Sequence, residues 1–180
     1  MDMYKLKFTK LQNEIFRLFC IKMISLNQRG VARMLKVSPT AIAKSIIGLE
    51  KHGLIKTEKS KTMNLISIQC NGDNPSAIAL KRVENLKLIY ESGLVGFLEE
   101  TFPGCTIILF GSYSLGEDNE KSDIDVAIIG SKQKQINLIK FDQSLERTIF
   151  INNYEDMGKI DKNLKSNILN GITLSGVIEL

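Results

Sequence analysis

Apolar positions in the first fifty residues recur at helical spacing. Leu11, Ile15, Leu18, Phe19 and Ile21 predict an amphipathic helix over 10–24, and Val31, Met34 and Leu35 predict a short second helix over 27–36. Ser38-Pro39 restarts the chain. Ser38 suits an N-cap, and Pro39 suits the first helical position, where its missing N–H would have no partner anyway. Ile42, Ile46 and Leu49 then follow at i, i+4 and i+7, so a third helix is expected to about Lys51, closed by Gly53 as a left-handed cap. After Gly53 the period changes to two. Residues 54–58 and 64–69 predict two strands joined by a polar turn that carries Lys59 and Lys61.

The turn formers Asn71-Gly72-Asp73-Asn74-Pro75 end this pattern, and a domain boundary is expected there, between 1–74 and 75–180. A long helix is expected from Pro75 to about Glu100, bent or broken near Gly93 and Gly96. Thr106-Ile107-Ile108-Leu109-Phe110 is an uninterrupted apolar run, the mark of a strand buried on both faces. Gly111-Ser112 follows at once. A polar stretch to Ser122 then leads into a second strand over 123–129. A helix around 136–146, a strand over 147–152, a packing helix and an apolar closing segment complete the pattern.

Composition narrows the class. With 43% hydrophobic and 24% charged residues among 180, the chain is a folding globular one. No apolar run approaches the roughly 18–20 residues of a membrane span. The N-terminus lacks the apolar region of a secretory signal. Cys20, Cys70 and Cys105 form no CxxC pair, so neither a zinc site nor a disulfide framework is expected, and the cytoplasm is the expected compartment. Charge is unevenly placed. Thirteen of the 24 Lys and Arg, but only five of the 20 Asp and Glu, fall within 1–74, leaving +8 there and −4 beyond. A basic first part attracts polyanions through its field and through counterion release. A solvated basic surface without a partner is equally consistent with charge alone. His52 is expected to meet the carbonyls at the negative end of the third helix.

The candidate chemistry is Gly-Ser, ten residues, then Asp-x-Asp at a strand start. Side chains two apart on a strand share a face, so Asp123 and Asp125 converge while Ile124 enters the core. Neighbouring carboxylates repel unless a cation lies between them, which makes the pair a natural Mg²⁺ site, and a nucleoside triphosphate would bring phosphate oxygens to the same ion. Gly111 permits a tight turn and close approach to a phosphate. Ser112 adds a hydroxyl and an N–H at the expected start of a short helix.

Two resemblances follow. Two helices, a tight turn, a third helix and a hairpin with a basic tip resemble a winged helix-turn-helix domain, and residues 31–55, ending Leu49-Glu50-Lys51-His52-Gly53-Leu54-Ile55, resemble MarR-type regulators. The resemblance implies that the third helix enters a DNA major groove while the hairpin touches the backbone. Ser38, Thr40, Ala41, Lys44 and Ser45 would face the DNA, and Lys36, Lys44, Lys56, Lys59 and Lys61 would pair phosphates. The helix carries no Arg or Asn suited to bidentate base reading, so strong sequence specificity is not expected. Paired half-sites imply a homodimer. A winged helix serving only protein contacts is the alternative.

The Gly-Ser-x10-Asp-x-Asp pattern between two apolar strands resembles the polymerase-beta-like nucleotidyltransferase superfamily, in its minimal branch related to kanamycin nucleotidyltransferase. This implies triphosphate binding at Gly111 and Ser112, with Asp123 and Asp125 as catalytic ligands of one or two Mg²⁺ ions. The expected fold is α+β: an N-terminal winged helix followed by an α/β domain with a small mixed sheet. Family enzymes usually carry a third carboxylate on the next strand, and matching Arg147-Thr148-Ile149-Phe150-Ile151 to that strand puts Phe150 at the acidic position. Glu146, Glu155 and Asp156 are the nearby candidates for a substitute. Three readings stay open: a transferase with an unidentified acceptor, a transcriptional regulator whose second domain senses nucleotide or serves as a scaffold, and an antitoxin-like partner of a toxin.

Overall fold

The computed structural model describes residues 8–22, 24–59 and 66–178. The chain divides into two compact units, Met1–Lys81 and Arg82–Leu180.

In the first unit α1 (Lys10–Lys22) buries Ile15, Phe16, Leu18, Phe19 and Cys20. A two-residue strand, β1 (Leu26–Asn27), leads into α2 (Gln28–Leu35), where Asn27 Oδ1 accepts the Gly30 N–H at 2.8 Å. Helix α3 (Pro39–Lys51) starts as its sequence predicts, with Ser38 Oγ accepting the Ala41 N–H at 3.2 Å and Pro39 in the first turn. It ends as predicted too. Gly53 has φ +68°, its N–H reaches the Glu50 carbonyl at 2.8 Å, and the Leu54 N–H reaches the Leu49 carbonyl at 3.0 Å. That pair of bonds satisfies carbonyls a helix end otherwise leaves open. His52 is the C-cap residue of α3, at the helix end expected for it, and its ring packs edge-on against Phe8, centroids 5.4 Å apart.

Strands β2 (Ile55–Lys59) and β3 (Ile66–Cys70) pair antiparallel, Ile55 opposite Cys70. Strand β1 pairs with β3 to give the order β1-β3-β2. The sequence pattern missed β1 because two residues carry no period. Ile15, Phe19, Val31, Ile42, Leu49 and Ile68 form the core beneath. This element order with its terminal hairpin is a winged helix.

Helix α4 (Pro75–Glu91) begins at the expected boundary, but its first turn buries Ala77 in the first unit's core, so the units part at Lys81/Arg82, inside the helix. The expected long helix breaks at Ser92-Gly93, where Gly93 has φ +75°, and resumes as α5 (Leu94–Thr101). In the second unit β4 (Thr106–Phe110), β5 (Ile124–Ile129), β6 (Ile149–Tyr154) and β7 (Ile172–Ser175) form one sheet in the order β6-β5-β4-β7. β5 and β6 run parallel, and β4 is antiparallel to both β5 and β7, so the sheet is small and mixed, as expected. The closing segment of the sequence pattern is thus a fourth strand.

One row of strand positions, Ile107, Leu109, Ile124, Val126, Ile128 and Ile149, packs with Leu98 of α5 and Phe141 of α7 (Ile139–Leu145). The alternate row, Ile108, Phe110 and Ala127, packs with Met157, Ile160 and Ile168, the last on α8 (Lys162–Leu169). Cover on both faces is why β4 reads as an unbroken apolar run. Among the described residues no helix is long and apolar enough to cross a membrane.

Candidate functional site

β4 runs directly into α6 (Gly111–Leu115), and its register with β5 sets Phe110 opposite Asp125. On the other side of β5, Asp125 pairs with Phe150 of β6. Directly opposed residues share a face, so Phe150, Asp125 and Phe110 form one row across the end of three strands. Gly111 stands against this row. It has φ +74°, and a Cβ there would come within 2.7 Å of Asp125 Oδ2. Backbone conformation and close approach both demand glycine. Asp123 sits half-buried just ahead of β5, and Ile124 between the two carboxylates is fully buried, as the alternation predicts. Burial pushes the Asp125 carboxyl above the usual carboxylate range, and the charge of Asp123 adds to it.

The residues fit a magnesium ion. Mg²⁺ is commonly held by one or two carboxylates, with substrate phosphates and water completing its six positions. Asp123 and Asp125 supply the carboxylates, and the Gly111 backbone leaves the Asp125 oxygen uncovered by any Cβ. Among the described residues, no group of three or more His, Cys, Asp or Glu is placed to hold a metal. Phe150, 50% exposed, occupies the position beside Asp125. The nearby acids do not replace it. Glu155 pairs with Lys159, and Asp156 Oδ1 accepts the N–H groups of Gly158 and Lys159. Both follow Tyr154, which lies beside Ile129 at the far end of β5 from Asp125. Glu146 closes α7 in a left-handed conformation, φ 53°, ahead of β6.

The sequence reading missed a buried anchor of the polar stretch between the two motifs. Asn85 of α4 donates through Nδ2 to the Tyr113 carbonyl at 2.9 Å and to Asp118 Oδ1 at 2.8 Å. Both side chains are buried. Asn85 thereby ties α6 and the loop that delivers Asp123 to one rigid helix. In the fold Ala77, Lys81, Asn85 and Ile89 are the buried positions spaced by four along α4, and two of them are polar, a line the sequence pattern did not mark. A polar residue on a buried helical line needs a partner.

Gly111→Ala is expected to cost about 1–2 kcal/mol for the left-handed backbone alone, plus displacement of the Asp125 carboxylate. Thermal denaturation of the variant against the wild type measures the total.

In the first unit α3 buries Ile42, Ile46 and Leu49, and the opposite side carries exposed Thr40, Lys44 and Lys51. Ala41 and Ser45 are half-buried on the flank, where the Ser45 carbonyl accepts from Gln12 Nε2 of α1 at 3.3 Å. Ile47, 66% exposed, lies on the outward side and was not singled out in the sequence. Ser38 is engaged as the α3 cap. Lys36 closes α2 with φ 55°. Lys56 pairs with Asp73 at 3.0 Å, while Lys59 is exposed at the end of β2. Lys61 lies outside the described residues.

The structure therefore defines a winged-helix unit joined to an α/β unit with a small mixed sheet. Residues 97–178 match the family model "Polymerase beta, Nucleotidyltransferase". A comparison with curated proteins found no match. Among solved structures the chain is similar to Lactococcus lactis ZitR in its E41A mutant, at 18% identity and TM-score 0.42 over 57% of this chain and 67% of that one. It is also similar to the adhesin competence repressor AdcR of Streptococcus pyogenes, at 18% identity and TM-score 0.43 over 56% and 71%. ZitR in complex with DNA is a third, at 20% identity and TM-score 0.39 over 56% and 64%. The winged-helix assignment rests on the element order and strand pairing above.

Proposed function

We propose that this protein binds DNA through its winged helix and a Mg²⁺–nucleoside triphosphate through its second unit. Gly111 and Ser112 receive the phosphates through backbone N–H groups and the Ser112 hydroxyl, and Asp123 and Asp125 hold the cation. The observation that supports this reading is the packing of the Gly111 backbone against the Asp125 carboxylate, which brings the Gly-Ser turn and one of the two carboxylates to one place. When bound, magnesium would neutralise charge on the triphosphate and on a leaving pyrophosphate. A second reading concerns turnover. The carboxylate pair supports nucleotidyl transfer to a hydroxyl acceptor, whereas Phe150 beside Asp125 favours a nucleotide that is held and sensed.

Incubation with α-labelled nucleoside triphosphate, Mg²⁺ and candidate acceptors separates the two. Label transfer that Asp123→Ala abolishes supports the transferase. Mg²⁺-dependent binding without transfer supports the sensor. No binding overturns both.

For the first unit, exposed Lys44 and Lys59, the +8 charge of residues 1–74 and the outward side of α3 support DNA binding, and paired half-sites would be read by a homodimer. Lys44→Ala is expected to weaken binding about equally across sequences and to lower the log–log salt slope by about 1. Titration at several salt concentrations checks it, and binding indifferent to salt would count against the groove contact.

A further inference from the structure

We propose that the cleft between α6 and the end of α8 holds the nucleoside portion of the bound nucleotide, with Asn167 and Asn170 reading its polar edge. The proposal deepens the nucleotide reading above and rests on it. The cleft encloses about 250 Å³ and is lined by Gly111, Ser112, Glu117, Asn167 and Asn170, among others. It therefore opens from the two residues assigned to the phosphates. Its volume lies just below the ~300–1,000 Å³ of pockets that take whole drug-sized ligands, so it suits one end of a nucleotide.

The lining chooses which end. The cleft carries no Lys, Arg or His, and its one charged side chain is the exposed carboxylate of Glu117. A carboxylate repels phosphate but accepts hydrogen bonds from sugar hydroxyls or a base amino group. Asn167 and Asn170 are three residues apart at the end of α8 and so share a side. Among the described residues neither side-chain amide has a partner. Each amide offers donors and an acceptor together, the complement of a base edge that presents both. The charged tail thus stays at Gly111, Ser112 and the carboxylate pair, and the neutral end enters the cleft on the side of the phosphate turn away from Phe150. Both asparagines are exposed, so replacing them leaves the core intact.

The test is calorimetric titration of the full chain, at fixed Mg²⁺, with inorganic tripolyphosphate and with each of ATP, GTP, CTP and UTP. The wild type is expected to bind at least one nucleoside triphosphate roughly tenfold more tightly than tripolyphosphate, the worth of two neutral hydrogen-bonding groups. The double variant Asn167→Ala/Asn170→Ala should lose that preference and keep its tripolyphosphate affinity within about twofold. A preference that survives in the double variant, or none in the wild type, overturns the cleft assignment and leaves the phosphate turn standing. Failure to bind either kind of probe overturns the phosphate turn, and the cleft assignment with it.

Discussion

Asp125→Asn is expected to abolish Mg²⁺-dependent nucleotide binding and, in the same protein, to raise the melting temperature measured without ligand. The two effects share one cause. The Asp125 carboxyl is pushed above the usual carboxylate range by burial first and by Asp123 second, so its ionised form is disfavoured in the folded chain. A raised folded-state value means that the folded chain holds this proton more tightly than the unfolded one. The stability gained is complete below the ordinary carboxylate range and is lost as pH rises through the raised value. At neutral pH the ionised group is a net cost, which the neutral amide removes.

The amide also removes the metal's ligand. A nucleotide present at about 100 times its Kd stabilises by ~2.7 kcal/mol, and the variant should show none of that increment. Melting curves with and without Mg²⁺–nucleotide, at acid and neutral pH, read both. A variant no more stable than wild type without ligand at neutral pH, or still stabilised by nucleotide, would overturn the account.

Phe150→Asp is expected to speed nucleotidyl transfer by about 10²–10⁴-fold, the usual contribution of a positioned general base. The β5–β6 register places this residue beside Asp125, and its half-exposed ring leaves the side chain room to be replaced. In the reaction an acceptor hydroxyl forms a bond to the α-phosphorus, the bond to pyrophosphate breaks, and the hydroxyl proton passes to the new carboxylate. Partial loss of the ring's burial should cost about 1 kcal/mol. Pyrophosphate release with water or glycerol as acceptor measures the rate. A variant no faster than the wild type would show that a carboxylate at this register does not complete the site. A fast wild type slowed by the change would show that the aromatic ring itself serves turnover.

Local chemistry made much of this legible in advance. Ser38-Pro39 and Gly53 bound α3 where the sequence places them, because caps act through backbone groups within three or four residues. The apolar run of β4, the Gly-Ser turn and the Asp-x-Asp alternation were equally local. Other features depended on partners distant in sequence. β1 exists only because β3 comes alongside it. The break between α4 and α5 could be placed only near Gly93 or Gly96, since either glycine permits a turn. Asn85 looked like any polar helix residue until Tyr113 and Asp118 met it.

By itself, then, the amino-acid order determined most of the element types, the caps of α3, the buried strands of the Gly-Ser and Asp-x-Asp motifs and the pair of carboxylates, since each follows from periodicity or from backbone groups a few residues apart. Only the tertiary structure decided that Gly111 packs on Asp125, that Phe150 stands beside that carboxylate, that Glu155 and Asp156 lie at the other end of the sheet, and that Asn167 and Asn170 border the Gly111-Ser112 turn. Those are matters of strand register and packing across the sheet, and register is set by contacts between residues that spacing along the chain does not encode.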